Sequence, residues 1–365
     1  MILIEDKETS YEELTTYILN NKKTHLPIDE ILYKISNMMT EEDKKIITNH
    51  KQMIEFLTNN PKLKIKMKTS GTTSNPKTMF LNFIDVIRGV KIDNKDRTWV
   101  CFYPYQTFAF SQIFLQCYLN NEKLFCVNKL KYGDIEKSLL NNDVTHISAT
   151  PTQLSFFLNE SNKIFHSVKS ISLGGERFRT DLAKRLAITM PNAKIRNIYA
   201  STETGPLLKS ENEFFTLSKK DQINIKIVNN QILVNKNLVS NSVNADRIEN
   251  NWYKTGDIVE FVDTNKFIIL GRSSDFTNIF GNKVCLNSIE DTILKFKCVK
   301  EVCLKTRKNS LSGNIIIADV SLHKNYTKIE FDKELNTTNL KYFEKPAIVN
   351  FKDNVLLSKS GKKQR

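Results

Sequence analysis

A chain of 365 residues can bury a large core, and its length predicts two domains or one large domain. Its 40% hydrophobic and 26% charged residues exclude an intrinsically disordered chain. The net charge of +14 could attract nucleic acid, but the sequence has no dense basic helix with interleaved aromatic residues, so nucleic-acid binding is not predicted.

The apolar runs and the cysteines indicate a compartment. No apolar run approaches the length of a membrane span, and residues 1–10 carry acids where a signal peptide has basic and apolar regions. The six cysteines form no C-x-x-C pair and the five histidines are scattered, which argues against structural zinc and a disulfide framework. We therefore expect a cytoplasmic protein without a membrane span.

The first predicted elements lead to a polar loop. A capping box from Ser10 to Glu13 opens a short helix, and a second helix is predicted from Glu41 to Leu57. The alternating residues from Leu63 to Lys68 predict a half-buried strand. The loop that follows, from Thr69 to Lys77, reads Thr-Ser-Gly-Thr-Thr-Ser-Asn-Pro-Lys.

This loop offers backbone N–H groups, hydroxyl donors and one mobile cation, which together suit a polyphosphate. An ordinary polar turn is the alternative interpretation. The P-loop of kinases and GTPases is a poor match, because Pro76 stands where that motif has its second glycine and has no N–H to donate.

From Thr98 to Ala200 the sequence alternates apolar strands with helical segments. The predicted strands are 98–102, 123–127, 144–149, 168–173 and 194–200, and the predicted helices are 108–118, 133–140, 152–158 and 180–189. This alternation predicts an α/β fold with a mainly parallel sheet covered by helices. Ligands bind beyond the carboxyl ends of such strands, where we expect the Thr69 loop, Gly174-Gly175-Glu176 and the segment from Tyr199 to Gly205.

From about Glu213 the pattern changes to a small antiparallel portion, with hairpins around Asn229-Asn230 and between 258–262 and 267–270. A polar stretch from Gly271 to Asp275 precedes a further α+β set. Its predicted strands lie near 283–286 and 314–320, and its predicted helices at 288–296 and near 337–343. We therefore predict a large N-terminal domain over residues 1–270 and a small C-terminal α+β domain over residues 271–365.

Four further motifs follow the Thr69 loop. They are Tyr199-Ala-Ser-Thr-Glu203-Thr-Gly205, Trp252-Tyr-Lys-Thr-Gly-Asp257, Gly271-Arg272 with Asp275 and Gly281, and Leu357-Ser-Lys-Ser-Gly-Lys362-Lys-Gln-Arg365. Each alone has an ordinary explanation, such as a core tyrosine or a frayed tail. Together, in this order, they resemble the adenylate-forming (AMP-binding) superfamily of acyl-CoA synthetases, acyl-carrier-protein ligases, peptide-synthetase adenylation domains and beetle luciferases.

The resemblance implies two half-reactions. A carboxylate attacks the α-phosphate of Mg²⁺·ATP to give an acyl-adenylate and pyrophosphate, and the thiol of coenzyme A or of a carrier protein's phosphopantetheine then takes the acyl group. Lys362 would stabilise charge at the reacting centre, and Glu203 would hold Mg²⁺.

The resemblance also implies a set of nucleotide-binding residues. Ser70, Thr72, Thr73 and Lys77 would cradle the β- and γ-phosphates, Tyr199 would lie against the adenine with Gly174, Gly175 and Glu176 along its other side, and Asp257 with Arg272 would bind the ribose. Thr69, Gly71, Ala200, Ser201 and Thr202 complete the implied set.

The superfamily implies a movement as well. The small domain would close over the large one and then swing about a hinge at Ser274 or Asp275, which would present residues 281–286 to the thiol. The sequence departs from the family pattern at Ser74, where glycine is usual, and at Ala200, which replaces a common glycine facing the acyl pocket. Only 68 residues precede the loop, which predicts a shortened N-terminal region.

Members of the superfamily that activate amino acids place an aspartate just after the segment matching Tyr103 to Phe110, where it pairs the α-ammonium group. Tyr103 to Tyr118 include no acid, so the resemblance implies an apolar acyl or aryl acid rather than an amino acid. Four phenylalanines would line an apolar acyl pocket, namely Phe102, Phe108, Phe110 and Phe114. That they simply form the core is at least as good an interpretation.

The acceptor is less determined. From Gly271 onward 18 Lys and Arg stand against 10 Asp and Glu, a net charge of +8, which favours an acidic acyl carrier protein only slightly over coenzyme A. The alternative of another class is a non-catalytic nucleotide-binding module derived from the family.

Overall fold

The computed structural model describes residues 2–4, 7–9, 64–68, 78–93, 95–104, 107–120, 122–128, 130–240, 243–309 and 313–353, with the backbone alone for 2–4, 7–9, 64–66 and 68. The two helices predicted near residues 10–18 and 41–57 lie outside these residues. The chain divides into two compact units. The first comprises Met1–Phe178, Leu182–Asn212 and Val234–Tyr253, and the second Arg179–Asp181, Glu213–Leu233 and Lys254–Arg365. The domain boundary between residues 270 and 271 stays a prediction.

Strands and helices alternate through the first unit. The strands are β1 (Ile2–Ile4), β2 (Lys7–Thr9), β3 (Lys64–Lys68), β4 (Thr78–Asn82), β5 (Thr98–Cys101), β6 (Lys123–Cys126), β7 (His146–Ala149), β8 (Ser170–Gly174), β9 (Lys194–Ser201) and β10 (Gly205–Ser210). The helices are α1 (Phe83–Ile87), α2 (Phe108–Asn120), α3 (Tyr132–Asn141), α4 (Pro151–Glu160) and α5 (Thr180–Thr189).

Eight of these strands form one sheet in the order β10–β9–β8–β7–β5–β6–β1–β2. The pairs from β9 to β1 are parallel, and the outermost strands β10 and β2 pair antiparallel with their neighbours. Successive residues of β5 face two different cores: Trp99 and Cys101 pack with α1 and α2, and Val100 packs with α3, α4 and α5. The predicted mainly parallel sheet, buried on both faces, is confirmed.

The strand before the Thr69 loop lies elsewhere than predicted. β3 pairs antiparallel with β4 in a two-stranded sheet of its own, with Met67 opposite Met79. The loop therefore joins two antiparallel strands and does not follow a strand of the parallel sheet. Strands separated by a short connection pair antiparallel at a small entropic cost, whereas parallel pairing needs a longer crossover.

The rest of the chain contains mostly strands. They are β11 (Phe215–Thr216), β12 (Ile225–Val228), β13 (Gln231–Asn235), β14 (Ile248–Glu249), β15 (Trp252–Asp263), β16 (Lys266–Arg272), β17 (Phe276–Ile279), β18 (Asn282–Cys285), β19 (Val299–Asn309), β20 (Gly313–Leu322) and β21 (Ile348–Phe351). The helices are α6 (Leu286–Ile293) and α7 (Lys328–Thr337). No helix among the described residues is long and apolar enough to cross a membrane.

These strands form three sheets. One has the order β11–β16–β15–β13–β12 with β14 on β15, and its predicted turn at Asn229 and Asn230 has φ of +50° and +59°, as a two-residue hairpin requires. The hairpin β17–β18 is separate. The third sheet, β19–β20–β21, packs with α6 and α7 around a core that includes Ile293 and Phe331. The predicted antiparallel portion and α+β set are confirmed.

One predicted helix is wrong. Residues 338–343 are not helical, and the helix of this region is α7, which ends at Thr337. Thr327 and Glu330 form a capping box at its start: the Glu330 carboxylate accepts from the N–H of Thr327 at 2.6 Å. This local signal fixes the helix start nine residues before the predicted position.

The four phenylalanines considered for an acyl pocket are all buried. Phe108, Phe110 and Phe114 belong to the core beside α2, and Phe102 belongs to the core on the opposite face of the sheet. They therefore form core, as the alternative interpretation states, and do not line one pocket together. Burial also raises the pKa of the Cys101 thiol to about 12, so this cysteine is no nucleophile at neutral pH.

Candidate functional site

The structure describes ten of the predicted site residues. Eight of them lie in the first unit, namely Gly174, Gly175, Glu176, Tyr199, Ala200, Ser201, Thr202 and Glu203, and Asp257 and Arg272 lie in the second. The remaining ones, Thr69, Ser70, Gly71, Thr72, Thr73, Lys77 and Lys362, lie outside the described residues. Their roles stay predictions.

Two glycines end β8 beside the neighbouring strand β9. Gly174 pairs with Ile198 in the parallel register, so Gly175 follows next to Tyr199. A Cβ atom on Gly174 would lie 3.3 Å from the carbonyl oxygen of Ile198. Gly175 has φ +81°, which glycine adopts at little cost. The glycines thus turn the chain and leave the backbone beside Tyr199 free of side chains, as a flat group approaching this strand end would require.

Glu176 is held against the start of α4. Its Oε2 accepts a hydrogen bond from the backbone N–H of Thr152 at 3.0 Å. The same end of α4 is fixed by a capping box between Thr150 and Gln153, and the Gln153 amide donates to the carbonyl oxygen of Phe102 at 2.8 Å. The carboxyl ends of β5, β7 and β8 are therefore tied together.

Tyr103 adds to this connection, and no pattern in the sequence predicted its role. Its buried hydroxyl lies 2.7 Å from the carbonyl oxygen of Ala149, the last residue of β7, and 3.2 Å from that of Gly174. Burial raises the pKa of this hydroxyl far above its ordinary value, so it stays protonated. Tyr103 thereby bridges the ends of two adjacent strands just below the glycine turn.

The residues from Ser201 to Gly205 form a tight turn between β9 and β10. The Thr204 N–H donates to Ser201 Oγ at 3.2 Å, and the two hydroxyl oxygens lie 2.9 Å apart. Gly205 completes the turn with φ +71°. Because Thr204 is 2% exposed, water does not compete for these hydrogen bonds.

Glu203 is fixed through its backbone. Its carbonyl oxygen accepts from the N–H of the buried Ser240 at 2.8 Å. Its half-buried carboxylate accepts no hydrogen bond and forms no ion pair with the residues that the structure describes. A carboxylate on a fixed backbone that no described residue neutralises suits a cation.

In the second unit the structure brings Asp257 and Arg272 together. They are directly opposite each other on β15 and β16, and Arg272 Nε lies 3.3 Å from Asp257 Oδ1. Asp257 is 6% exposed, and its N–H donates to Thr255 Oγ1 at 3.0 Å. The structure therefore places the two predicted ribose-binding residues side by side, and their role stays a prediction.

A compact cluster follows Arg272. Asp275 Oδ2 accepts from the Arg272 N–H at 2.8 Å and from Asn287 Nδ2 at 3.3 Å, and Asn287 also donates to the carbonyl oxygen of Leu270 at 3.2 Å. Gly271 has φ +146°, and a Cβ atom there would lie 2.8 Å from Asp275 Oδ2 and closer still to Asn287 Nδ2. The segment from Leu270 to Asp275 is therefore held by contacts that only glycine permits.

A known protein family matches the part of the chain that contains eight of these ten residues. The AMP-binding enzyme family matches residues 20–234, which is more than half of the chain. The chain belongs to the AMP-binding enzyme family.

Two curated relatives illustrate the range of the family. The 2-succinylbenzoate–CoA ligase of Listeria innocua is 21% identical over 330 residues, which are 82% of this chain and 68% of that enzyme. Gramicidin S synthase 2 of Aneurinibacillus migulanus is 21% identical over 215 residues, which are 50% of this chain but 5% of that protein. This AMP-binding enzyme thus matches about two thirds of the ligase and a small part of the synthase.

Solved structures share the fold. The o-succinylbenzoate CoA synthetase (MenE) of Bacillus subtilis, in complex with the acyl-adenylate intermediate OSB-AMP, has a TM-score of 0.63 and 22% identity, and the match covers 82% of this chain and 67% of that one. ATP-bound MatB of Rhodopseudomonas palustris has a TM-score of 0.66 and 16% identity, with 82% and 66% covered.

Proposed function

We propose that this AMP-binding enzyme activates a carboxylic acid with ATP to an acyl-adenylate and transfers the acyl group to a thiol. The observation that carries the proposal is the strand end where Gly174 and Gly175 lie beside Tyr199, with the Glu203 carboxylate four residues further along the chain. An open backbone for a base and, at the same sheet edge, a carboxylate unpaired among the described residues suit Mg²⁺·ATP.

The residues fit a magnesium ion that ATP brings with it. Within the part of the chain that the structure describes, no three acidic, histidine or cysteine side chains cluster as a protein-only metal site would require. Glu203 supplies one carboxylate, which is what Mg²⁺ takes when phosphate oxygens and waters complete its shell. When bound, Mg²⁺ would neutralise charge on the phosphates and on the departing pyrophosphate.

Each of the other site residues is proposed to bind a different part of the nucleotide. Asp257, buried and already paired with Arg272, is suited to accept hydrogen bonds from the ribose hydroxyls. The phosphate contacts fall to the Thr69 loop, through Ser70, Thr72, Thr73 and Lys77. Lys362 would place its ammonium group between the substrate carboxylate and the α-phosphate, where negative charge develops.

The chemistry proceeds in two transfers. A carboxylate oxygen of the acid forms a bond to the α-phosphorus, and the bond from that phosphorus to the bridging oxygen breaks, so that pyrophosphate leaves with the electron pair. In the second transfer the thiolate forms a bond to the acyl carbon, and AMP leaves with the electrons of the former acyl–oxygen bond. Both steps are displacements that need positioning and charge stabilisation more than covalent help from the protein.

We propose coenzyme A as the acceptor and an aryl or other apolar acid as the substrate. The names of two relatives support coenzyme A and an aryl acid, since one is a 2-succinylbenzoate–CoA ligase and the other an o-succinylbenzoate CoA synthetase. Transfer to the phosphopantetheine of an acidic carrier protein is the other form of the same reaction. The two acceptors are separated by comparing thioester formation with coenzyme A and with a panel of holo-carrier proteins.

The central experiment is acid-dependent exchange of labelled pyrophosphate into ATP. We expect exchange with at least one member of a panel of aryl acids, fatty acids and amino acids that includes 2-succinylbenzoate. Measurable ATP binding without exchange for any acid would instead support a non-catalytic nucleotide-binding module.

Lys362→Ala tests the assigned catalytic group. Loss of one preorganised charge at the reacting centre is expected to lower exchange by about 10²- to 10³-fold while ATP binding persists. Lys363→Ala is the matched control, because it removes the same charge from the adjacent residue. Exchange that is equal in both variants would refute the role of Lys362.

A further inference from the structure

Arg88, just after α1, connects three parts of the first unit. Its Nη1 donates to the carbonyl oxygen of Thr204 at 3.1 Å and to that of Leu238 at 3.2 Å. Its Nη2 donates to Asp85 Oδ1 at 2.8 Å in an ion pair, and the arginine side chain is 27% exposed. One guanidinium group therefore serves three acceptors in a fixed fork geometry.

Two of these acceptors adjoin the residue that holds the proposed cation. Thr204 directly follows Glu203 in the chain. Leu238 ends a short 3₁₀ turn, and Ser240, two residues later, donates its N–H to the Glu203 carbonyl oxygen at 2.8 Å. The guanidinium thus joins the turn that carries Glu203 to the segment that hydrogen-bonds its backbone. Without it, the carbonyl oxygens of the buried Thr204 and the half-buried Leu238 would lose this donor, which costs more than losing an exposed hydrogen bond.

The backbone of this segment is fixed as well. Gln112 of α2 donates to the carbonyl oxygen of Arg88 at 2.8 Å. Gly89 has φ +99°, and a Cβ atom there would lie 2.9 Å from Cγ of Pro206, so the chain after Arg88 lies directly against the end of the turn. A Cβ atom on Gly205 would lie 3.5 Å from the carbonyl oxygen of Asp85. Arg88 therefore acts from a rigid base.

The position of Arg88 in the chain relates these hydrogen bonds to the predicted phosphate loop. Lys77 ends the predicted phosphate loop, β4 begins at the next residue, and α1 follows β4 directly. Arg88 closes that short helix, since its N–H donates to the carbonyl oxygen of Ile84 at 3.2 Å. The segment that leaves the phosphate loop is therefore the one that fastens the Glu203 turn.

We infer that Arg88 is a positioning residue for the metal-bound triphosphate: it holds the Glu203 turn in register with the segment that leaves the phosphate loop. The inference rests on the proposed function, because it takes Glu203 as the Mg²⁺ ligand. Arg88 touches neither nucleotide nor metal in this role. It acts through the carbonyl oxygens of Thr204 and Leu238.

The test is nucleotide binding by calorimetry, which needs no knowledge of the acid. Arg88→Met keeps the length of the side chain and removes its donors. We expect it to weaken binding of ATP with Mg²⁺ by about 10- to 100-fold, as for groups that orient a metal ligand. The affinity for AMP in EDTA should change less than about twofold. Arg88 hydrogen-bonds to none of the residues that are proposed to contact the adenine or the ribose. Arg88→Lys, which keeps the charge but not the fork, should fall between.

A second readout follows the metal itself. Mn²⁺ replaces Mg²⁺, and its electron paramagnetic resonance signal reports the fraction bound to the protein–ATP complex. Arg88→Met should raise the Mn²⁺ concentration for half saturation by the same factor as it weakens Mg²⁺·ATP. Equal losses for AMP and Mg²⁺·ATP, or an unchanged Mn²⁺ titration in the folded variant, would overturn the inference.

Two variants keep the result interpretable. Arg185→Met removes an arginine that also bonds within the first unit, to Ser155 Oγ at 3.3 Å and Asn159 Oδ1 at 2.7 Å, so it controls for the general loss of such an anchor. Glu203→Gln is the reference for the proposed function. If Glu203→Gln leaves Mn²⁺ binding unchanged, the proposed metal ligand is wrong; if it abolishes binding while Arg88→Met does not weaken it, the positioning role alone fails.

Discussion

Each of the two units holds one acidic residue of the predicted site set, and the surroundings of these two residues differ. The first unit fixes the backbone of Glu203 through Ser240 and leaves its carboxylate without a partner among the described residues. The second unit buries Asp257 to 6% exposure and places Arg272 Nε 3.3 Å from its carboxylate.

This difference teaches what each carboxylate can bind. An anion that already has a guanidinium neighbour has little attraction left for a cation, but its remaining lone pairs accept hydrogen bonds from neutral hydroxyls. An anion without a partner attracts a cation strongly, and its charged form is destabilised when the cation is removed. The comparison therefore supports the proposal that Glu203 binds the metal and Asp257 the sugar.

Glu203→Gln should have the largest effect. The amide keeps the size of the side chain but removes the negative charge, so Mg²⁺-dependent pyrophosphate exchange should fall by about 10²- to 10³-fold. AMP binding in EDTA should persist. Exchange and Mn²⁺ titration both measure the loss, and exchange that is retained at ordinary Mg²⁺ concentrations would break the assignment.

Asp257→Asn should have a smaller and different effect. Replacing a charged acceptor by an amide weakens its hydrogen bonds by an amount that corresponds to about 10-fold in affinity. Because the ribose is common to both, AMP and Mg²⁺·ATP should weaken equally, as calorimetry can measure. A loss confined to Mg²⁺·ATP would mean that Asp257 serves the metal and would erase the contrast with Glu203.

Gly271→Ala should disturb the surroundings of Asp257 in the second unit and leave Glu203 in the first unit unchanged. The added Cβ would press on Asp275 Oδ2 and Asn287 Nδ2 at a φ of +146°, so we expect a stability loss of about 1–3 kcal/mol in urea unfolding, typical of strain and overpacking. Gly133→Ala in α3 is the matched control, because nothing lies within 4 Å of its added Cβ. Equal stability of the two variants would show that the cluster after Arg272 is not tightly packed.

The pH dependence of stability should differ between a group in the first unit and a group in the second. Burial lowers the pKa of His146 in the first unit to about 4, so the unfolded chain takes up a proton first, and stability falls as the pH drops from about 6.5 to 4. In the second unit burial raises the pKa of Asp319, but hydrogen bonds from Lys352, Asn350 and Lys305 outweigh it and lower this pKa to about 2. That contribution, on the order of 2 kcal/mol, is present above about pH 4 and lost towards pH 2.

Two substitutions test the pH ranges assigned to His146 and Asp319, by unfolding measured as a function of pH. His146→Gln should flatten the stability curve between pH 6.5 and 4, and Asp319→Asn should flatten it only at lower pH. The reverse pattern would contradict the assignment of the two acid-sensitive groups.

Local signals account for what the sequence predicted correctly. The helix Thr180–Thr189 has the predicted bounds, because an amphipathic period and a polar start specify it without help from distant residues. The alternation of strands and helices likewise predicted the parallel sheet. The glycines after Leu173 and the turn after Tyr199 lie at the carboxyl ends of β8 and β9 as predicted, and their functional roles stay predictions.

Contacts between distant segments account for what was missed. Arg88 and Thr204 are 116 residues apart in the chain, and nothing in either segment announces the other. The strand β19 was missed for a local reason: Lys and Arg interrupt the apolar pattern in its last third. Phe102 and Phe108 were grouped by proximity in sequence, although Phe102 follows β5 into one core and Phe108 lies on α2 in the other.

The interrupted path of the chain has a consequence for synthesis on the ribosome. The first unit stops at Asn212 and resumes at Val234, and the resumed part contains Ser240. The turn at Glu203 therefore emerges from the exit tunnel before its hydrogen-bond partner has been translated. Nascent chains arrested before Ser240 should contain every strand of the large sheet but lack the hydrogen bond that fixes the backbone of Glu203.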